Sequence, residues 1–150
     1  MTVFAGKAYN EIRLGDSFSD QITLTETHLV MAASLFGDFH PVHVNETFAA
    51  TTRYGTRIFH GYFTSSLMAA VVGNFFAGSG IAYLEHSCRF TAAVKPGDTV
   101  TTRWTIAAMD DKPHHGGGIV TLAGNCRNQH DVVVAEAHAK LMVKNKPFYT

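Results

Sequence analysis

From Gly61 to Phe76 the chain reads GYFTSSLMAAVVGNFF. Tyr62, Phe63, Leu67, Met68, Val71, Val72, Phe75 and Phe76 leave little room for a polar face on a helix built from this run. A helix that is apolar on nearly every side must be enclosed by protein. About 16 residues make a rod roughly 24 Å long. Thr64, Ser65, Ser66 and Asn74 interrupt the run, which falls short of the ~20 apolar residues of a membrane span.

The second half of the chain supplies the enclosure. Leu84, Cys88, Phe90, Ala92 and Val94 alternate with Glu85, Ser87, Arg89 and Thr91. Val100, Trp104, Ile106 and Ala108 alternate with Thr101, Arg103 and Thr105. Val120, Leu122 and Cys126 keep the same period, as do Val133, Ala135, Ala137, Ala139, Leu141 and Val143. Period-2 patterning over four segments predicts half-buried antiparallel strands. KPGD at 95–98, DDKPHHGGG at 110–118 and NQHD at 128–131 separate them with turn-forming residues. One buried helix and a run of amphipathic strands predict a curved antiparallel sheet wrapped around the helix, the hot-dog arrangement of the α+β class.

A chain of 150 residues without a repeat or a linker fits one domain, residues 1–150. Formal net charge is zero and no basic run occurs, which argues against nucleic acid and anionic membrane surfaces as partners. The first residues, MTVFAGKAYNEIRLGD, hold no continuous apolar stretch of the signal-peptide kind. With Cys88 and Cys126 as its only cysteines, a reduced, cytoplasmic compartment is the expectation, and two cysteines alone make no zinc site.

The first half carries the chemistry. Ser17 to Leu24 suits a strand. Thr25 is placed to cap a helix whose Leu29, Val30, Ala33 and Phe36 recur at helical spacing, and Gly37 to end it. Asn45 can cap a second helix from Glu46 to about Tyr54, ended by Gly55. Between them lies GDFHPVH, residues 37–43, with a carboxylate and two imidazoles around a proline. Asp38 and His43 are an odd number of residues apart, so a straight strand would turn them to opposite faces, and a helix would also separate them. Their convergence requires a bend, which Pro41 favours by fixing its own φ and biasing His40 toward extended backbone.

Such a pair can move protons near neutral pH. Adding water to a conjugated double bond needs a base for the water and an acid for the α-carbon. If the double bond is conjugated to a thioester, charge also develops on the carbonyl oxygen. Gly61 opens the apolar helix, where first-turn N–H groups lack intrahelical partners, and glycine permits close approach.

GDFHPVHVN at 37–45, FHG at 59–61 before the apolar helix, and KPGDTV at 95–100 together resemble the MaoC-like, (R)-specific enoyl-CoA hydratase family, from about Ser17 to Val143. The resemblance implies a hot-dog fold working as a homodimer or dimer of dimers. It implies reversible hydration of trans-2-enoyl-CoA to (R)-3-hydroxyacyl-CoA, a hydro-lyase reaction without metal or organic cofactor. It makes Asp38 and His43 the catalytic pair and the Gly61 N–H the oxyanion donor. One departure stands out: His40 occupies the place of the family's usual asparagine, which bears on the acyl chain accepted, with a branched or dicarboxylic chain as the hypothesis.

His40, His60 and Ser66 are the candidates for substrate binding. His40 also suits a structural hydrogen bond, His60 suits a bond that holds the start of the helix, and Ser65 and Ser66 suit bonds to their own backbone. Three rival functions share parts of this pattern. Asp38, His40 and His43 superficially resemble a two-histidine, one-carboxylate metal site. A hot-dog thioesterase would cleave the ester instead of hydrating the alkene. A non-catalytic acyl-CoA-binding subunit of a heteromeric dehydratase would keep the scaffold alone.

Overall fold

Five antiparallel strands form one sheet in the order β1-β3-β4-β5-β2 in the computed structural model, which describes residues 6–146. The strands are β1 (Ser17–Thr23), β2 (Gly80–Phe90), β3 (Thr99–Lys112), β4 (Gly117–Arg127) and β5 (Val133–Lys144). The helices are α1 (Glu26–Phe36), α2 (Pro41–Val44), α3 (Glu46–Ala50) and α4 (Gly61–Phe75). Helix α4 touches all five strands, so the sheet curves around it. The architecture is the α+β hot-dog fold that the sequence pattern predicts.

The inner face carries Val100, Trp104 and Ile106 from β3, Val120, Leu122 and Cys126 from β4, and Ala135, Ala137, Ala139, Leu141 and Val143 from β5, all buried. Trp104 fixes α4 to the sheet: its ring is 0% exposed and its Nε1–H donates to the Met68 carbonyl at 2.9 Å. Gly124 on β4 makes room for that ring, since a Cβ there would stand 2.5 Å from it.

Four expectations are corrected by packing. A register shift in β3 after Ile106, which pairs with Leu122 while Ala108 pairs with Thr121, reverses the alternation, so Ala108 is exposed and Met109 turns inward. Strand β2 starts at Gly80 and stops at Phe90, short of Ala92 and Val94. It is an edge strand, and Leu84 and Phe90 lie 49% and 46% exposed. Helix α3 ends at Ala50 instead of near Tyr54, because the Thr51 and Thr52 hydroxyls donate to the Phe48 and Ala49 carbonyls and compete with further helical turns. Helix α4 buries Thr64, Met68 and Val72 against the sheet, while Tyr62, Ser66, Ala70, Gly73 and Asn74 form an exposed stripe, so one chain encloses only part of it.

Candidate active site

The GDFHPVH segment folds back on itself through a chain of small caps. Gly37 closes α1 in the left-handed conformation, φ 70°, with its N–H on the Ala33 carbonyl. Asp38 follows, and its Oδ1 accepts the His40 N–H at 3.1 Å. His40 then caps α2, its Nδ1 accepting the Val42 N–H at 3.2 Å, with Pro41 in the first helical position. Asn45 ends α2 and caps α3, its Oδ1 accepting from Phe48 at 3.0 Å. The bend that the proline favours is thus a short helix, an element the periodicity did not reveal.

This bend brings His43 Nε2 to 3.9 Å from Asp38 Oδ2. The imidazole is held on its other side, where Nδ1 meets the Ile58 carbonyl at 2.7 Å. A carbonyl has no hydrogen to give, so Nδ1 carries the proton and Nε2 presents its lone pair toward Asp38. Burial lowers the His43 pKa below the ordinary imidazole value; the Ile58 bond and Asp38 pull it up, and His60 and His40 push it down. The shift favours the neutral ring, whose Nε2 is free to accept a proton. Its side chain is 12% exposed, whereas the Asp38 carboxylate is 46% exposed. A half-buried base beside an accessible carboxyl group suits proton transfer to a small molecule arriving from outside.

His60 joins the two. Its Nε2–H donates to the Asp38 backbone carbonyl at 2.9 Å, and its ring stacks on His43 with centroids 3.8 Å apart. The residue is 1% exposed, and its Nδ1 has no hydrogen-bond partner among the described residues. His60 also directly precedes α4, which sets the free first turn of the helix next to the pair. Neither the Gly61 nor the Tyr62 N–H donates to a protein carbonyl outside the helix, among the described residues. A Cβ on Gly61 would meet the Phe90 ring at 2.8 Å, so any other residue here would have to displace that ring. Ile58 and Gly61 line a cavity of about 590 Å³. Its wall does not include Asp38 or His43, which meet across the intervening 58–60 segment.

Asp38, His43 and His60 each offer a ligand atom within 4.8 Å of the others, a set with the donor chemistry of a divalent cation site. This corrects the trio suggested by the sequence: His40 is turned to its capping bond and His60 takes its place. The His43 and His60 rings stack with 28° between their planes.

Ser66 stands on the exposed stripe of α4 with its hydroxyl on the Tyr62 carbonyl at 2.8 Å. Ser65 instead faces β2, its Oγ 2.8 Å from His86 Nε2, while His86 Nδ1 lies 2.9 Å from the Tyr83 hydroxyl. The Ile58 carbonyl that sets the His43 tautomer had no signal in the sequence, because any residue type supplies a carbonyl.

Residues 10–123 match the MaoC like domain. An (R)-specific enoyl-CoA hydratase of Rhodospirillum rubrum is 35% identical over 135 residues, covering 90% of each chain. The chain belongs to the MaoC-like dehydratase family. A 3-hydroxybutyryl-CoA dehydratase of Methylorubrum extorquens is 33% identical, with 82% of this chain and 75% of that protein covered. Among solved structures, an unliganded (R)-hydratase of Pseudomonas aeruginosa matches with a TM-score of 0.82 and 28% identity, covering 93% of this chain and 86% of that one. As a MaoC-like dehydratase the chain is a hydro-lyase. His40 supplies the side-chain acceptor at this helix cap, its Nδ1 taking the Val42 N–H. No helix among the described residues is long and apolar enough to cross a membrane.

Proposed function

We propose that this MaoC-like dehydratase adds water reversibly across the 2,3 double bond of a trans-2-enoyl-CoA, giving the (R)-3-hydroxyacyl-CoA. The observation that carries the reading is the 3.9 Å gap between His43 Nε2 and Asp38 Oδ2, with the imidazole lone pair directed into it. A gap of that length is too long for a direct hydrogen bond and lets one water reach both groups at about 2.8 Å. The pair removes one proton from that water as its oxygen bonds to C3, and returns one proton to C2, so that the net addition is one water. The two sites share the water, and their titrations belong to the pair. Negative charge that develops on the thioester oxygen is met by the Gly61 N–H at the positive end of α4, a contact worth ~3 kcal/mol in the transition state. Hydration is redox-neutral, and no cofactor enters the proposed cycle; coenzyme A arrives as part of the substrate. His60 holds the Asp38 turn against the helix start.

Incubation with trans-2-butenoyl-CoA tests the reaction. The conjugated absorbance is expected to fall without release of free thiol, and chiral analysis of the product to return the (R) isomer. Release of coenzyme A with the double bond intact would mean an esterase instead.

The pH dependence follows from the lowered His43 pKa. The imidazole acts as a base only when unprotonated, so kcat/KM is expected to fall on acidification with a midpoint below the ordinary value near 6.5. A pH–rate profile with its acidic midpoint clearly above about 6.5 would contradict the assignment.

His40 Nδ1 is committed to its cap, which leaves Nε2 available to a polar or carboxylate-bearing acyl chain. His40→Asn keeps a capping oxygen. It is expected to leave stability within about 0.5 kcal/mol and to shift preference toward uncharged acyl chains, measured on a panel of enoyl-CoAs. An unchanged preference would remove the role in selectivity.

The edge strand β2 exposes Ile81, Tyr83, Leu84 and Phe90, and the outer stripe of α4 is uncovered in one chain. An unpaired edge with apolar side chains favours pairing with a second copy, and a homodimer, alone or as a dimer of dimers, completes the proposal. Sedimentation at the mass of a single chain would exclude it.

A further inference from the structure

We propose that His60 is a positioning residue that sets the gap between Asp38 and His43, its N–H placing the first and its ring face aligning the second. This rests on the hydratase reading for the rate that is measured, and adds what holds the pair at the width of one water.

His60 is the most enclosed of the three, at 1% exposure. A side chain so buried presents no surface to a substrate and acts through what it touches. Its Nε2–H donates to the Asp38 carbonyl at 2.9 Å, a bond that reaches from the start of α4 to the turn after α1, 22 residues earlier in the chain. A carbonyl can only accept, so the hydrogen sits on Nε2. The flat face of the same ring stacks on His43, with centroids 3.8 Å apart, and the Phe36 ring meets it edge-on at 5.6 Å. One side chain thus touches both members of the pair and is itself braced by α1.

The Ile58 carbonyl alone does not fix His43. A single hydrogen bond at Nδ1 leaves the ring free to turn about that bond, and Nε2 on the far side swings with it. A ring at stacking distance removes that freedom, because turning His43 would break the face-to-face contact. The backbone that carries both contacts is tied down as well. The Ile58 N–H donates to the Val42 carbonyl in α2 at 3.2 Å, and the Phe59 N–H to the Val94 carbonyl before β3 at 2.8 Å. Segment 58–60 therefore grips the pair from a fixed base: Ile58 holds His43 at one end, and His60 holds Asp38 and the plane of His43 at the other. Misplacing a reacting group by about 1 Å costs on the order of 10²-fold in rate, so a residue with these contacts acts on turnover without meeting the substrate.

Two variants separate the contacts. His60→Gln keeps an N–H near the position of Nε2 and removes the ring. His60→Phe keeps a flat ring and removes the N–H. Each is expected to lower kcat for trans-2-butenoyl-CoA at least about tenfold, with KM within about twofold of the parent. Placed in the Asp38→Asn, His43→Asn protein, neither is expected to cost more than about twofold further, since no pair is left to position. Nitrogen NMR of the imidazoles reads the geometry without turnover, the His43 signals being those lost in His43→Asn. The parent is expected to show His43 in the Nδ1–H tautomer alone, and His60→Gln to show a mixture of tautomers. Circular dichroism checks each fold, and His60→Gln carries the test where His60→Phe does not fold. Parental kcat in either folded variant, a loss confined to KM, an undiminished loss in the pair-deleted protein, or a single His43 tautomer in His60→Gln would overturn the proposal. A parent that hydrates nothing, yet shows the change of tautomer, would remove the hydratase reading and keep this one.

Discussion

Asp38→Asn is expected to lower the rate of enoyl-CoA hydration by roughly 10²–10⁴-fold, and His43→Asn by a similar factor, with both proteins folded. The substitutions separate chemistry from architecture. Asparagine at 38 keeps an oxygen for the His40 N–H, which donates to Asp38 Oδ1 at 3.1 Å, and loses the acid. Asparagine at 43 keeps an N–H in the region of Nδ1, where the bond to the Ile58 carbonyl is made, and loses the lone pair of Nε2. His43→Ala removes both, and the Ile58 carbonyl is left without its donor at a cost of about 1–3 kcal/mol in stability. Loss of enoyl absorbance gives the rates, and circular dichroism shows whether the fold is kept. A near-normal rate in either asparagine variant would remove the proposed mechanism.

Trp104→Ala is expected to cost about 3–5 kcal/mol of stability, the largest effect of any single truncation in the core. The ring is 0% exposed, lies against Gly124, and ties β3 to the middle of α4 through the Met68 carbonyl. Its removal leaves a cavity that the sheet cannot close, because neighbouring strands are held in register on both sides of β3. Since α4 carries Gly61, a variant that still folds is also expected to lose activity. Urea denaturation measures the first effect. A loss below about 1 kcal/mol would mean that the helix is held to the sheet by other contacts.

Much of the fold was legible because its signals are local. The alternation in β5, the caps at Thr25, Gly37 and Asn45, and the apolar density of α4 each stand in one short window of sequence. The errors arose where the result depends on partners elsewhere. Phe90 faces the expected side of β2, opposite buried Ala135, yet stays exposed because β2 ended up at the edge of the sheet, and Leu84 is the unpaired residue of a register shift between Tyr83 and Glu85. Ala108 changes face because of an unpaired residue in a ladder that can only be recognised beside β4. In the site, the sequence supplied the Asp38 and His43 side chains that the structure brings to 3.9 Å and the need for a bend. It could not supply the Ile58 carbonyl, or the stacking of His60 on His43 from 17 residues away, since both are products of the folded backbone. The role of His40 as a helix cap was concealed in another way, because imidazole is an uncommon capping group in a position where chemistry was expected.

The claim that Asp38 and His43 act on one water is tested most directly by a double-mutant cycle on the hydration rate. Groups that work as a unit lose their function together, so the Asp38→Asn, His43→Asn double variant is predicted to be no more than about threefold slower than the slower single variant. Losses that multiply, with the double variant slower by the product of the two single factors, would show independent action and contradict it.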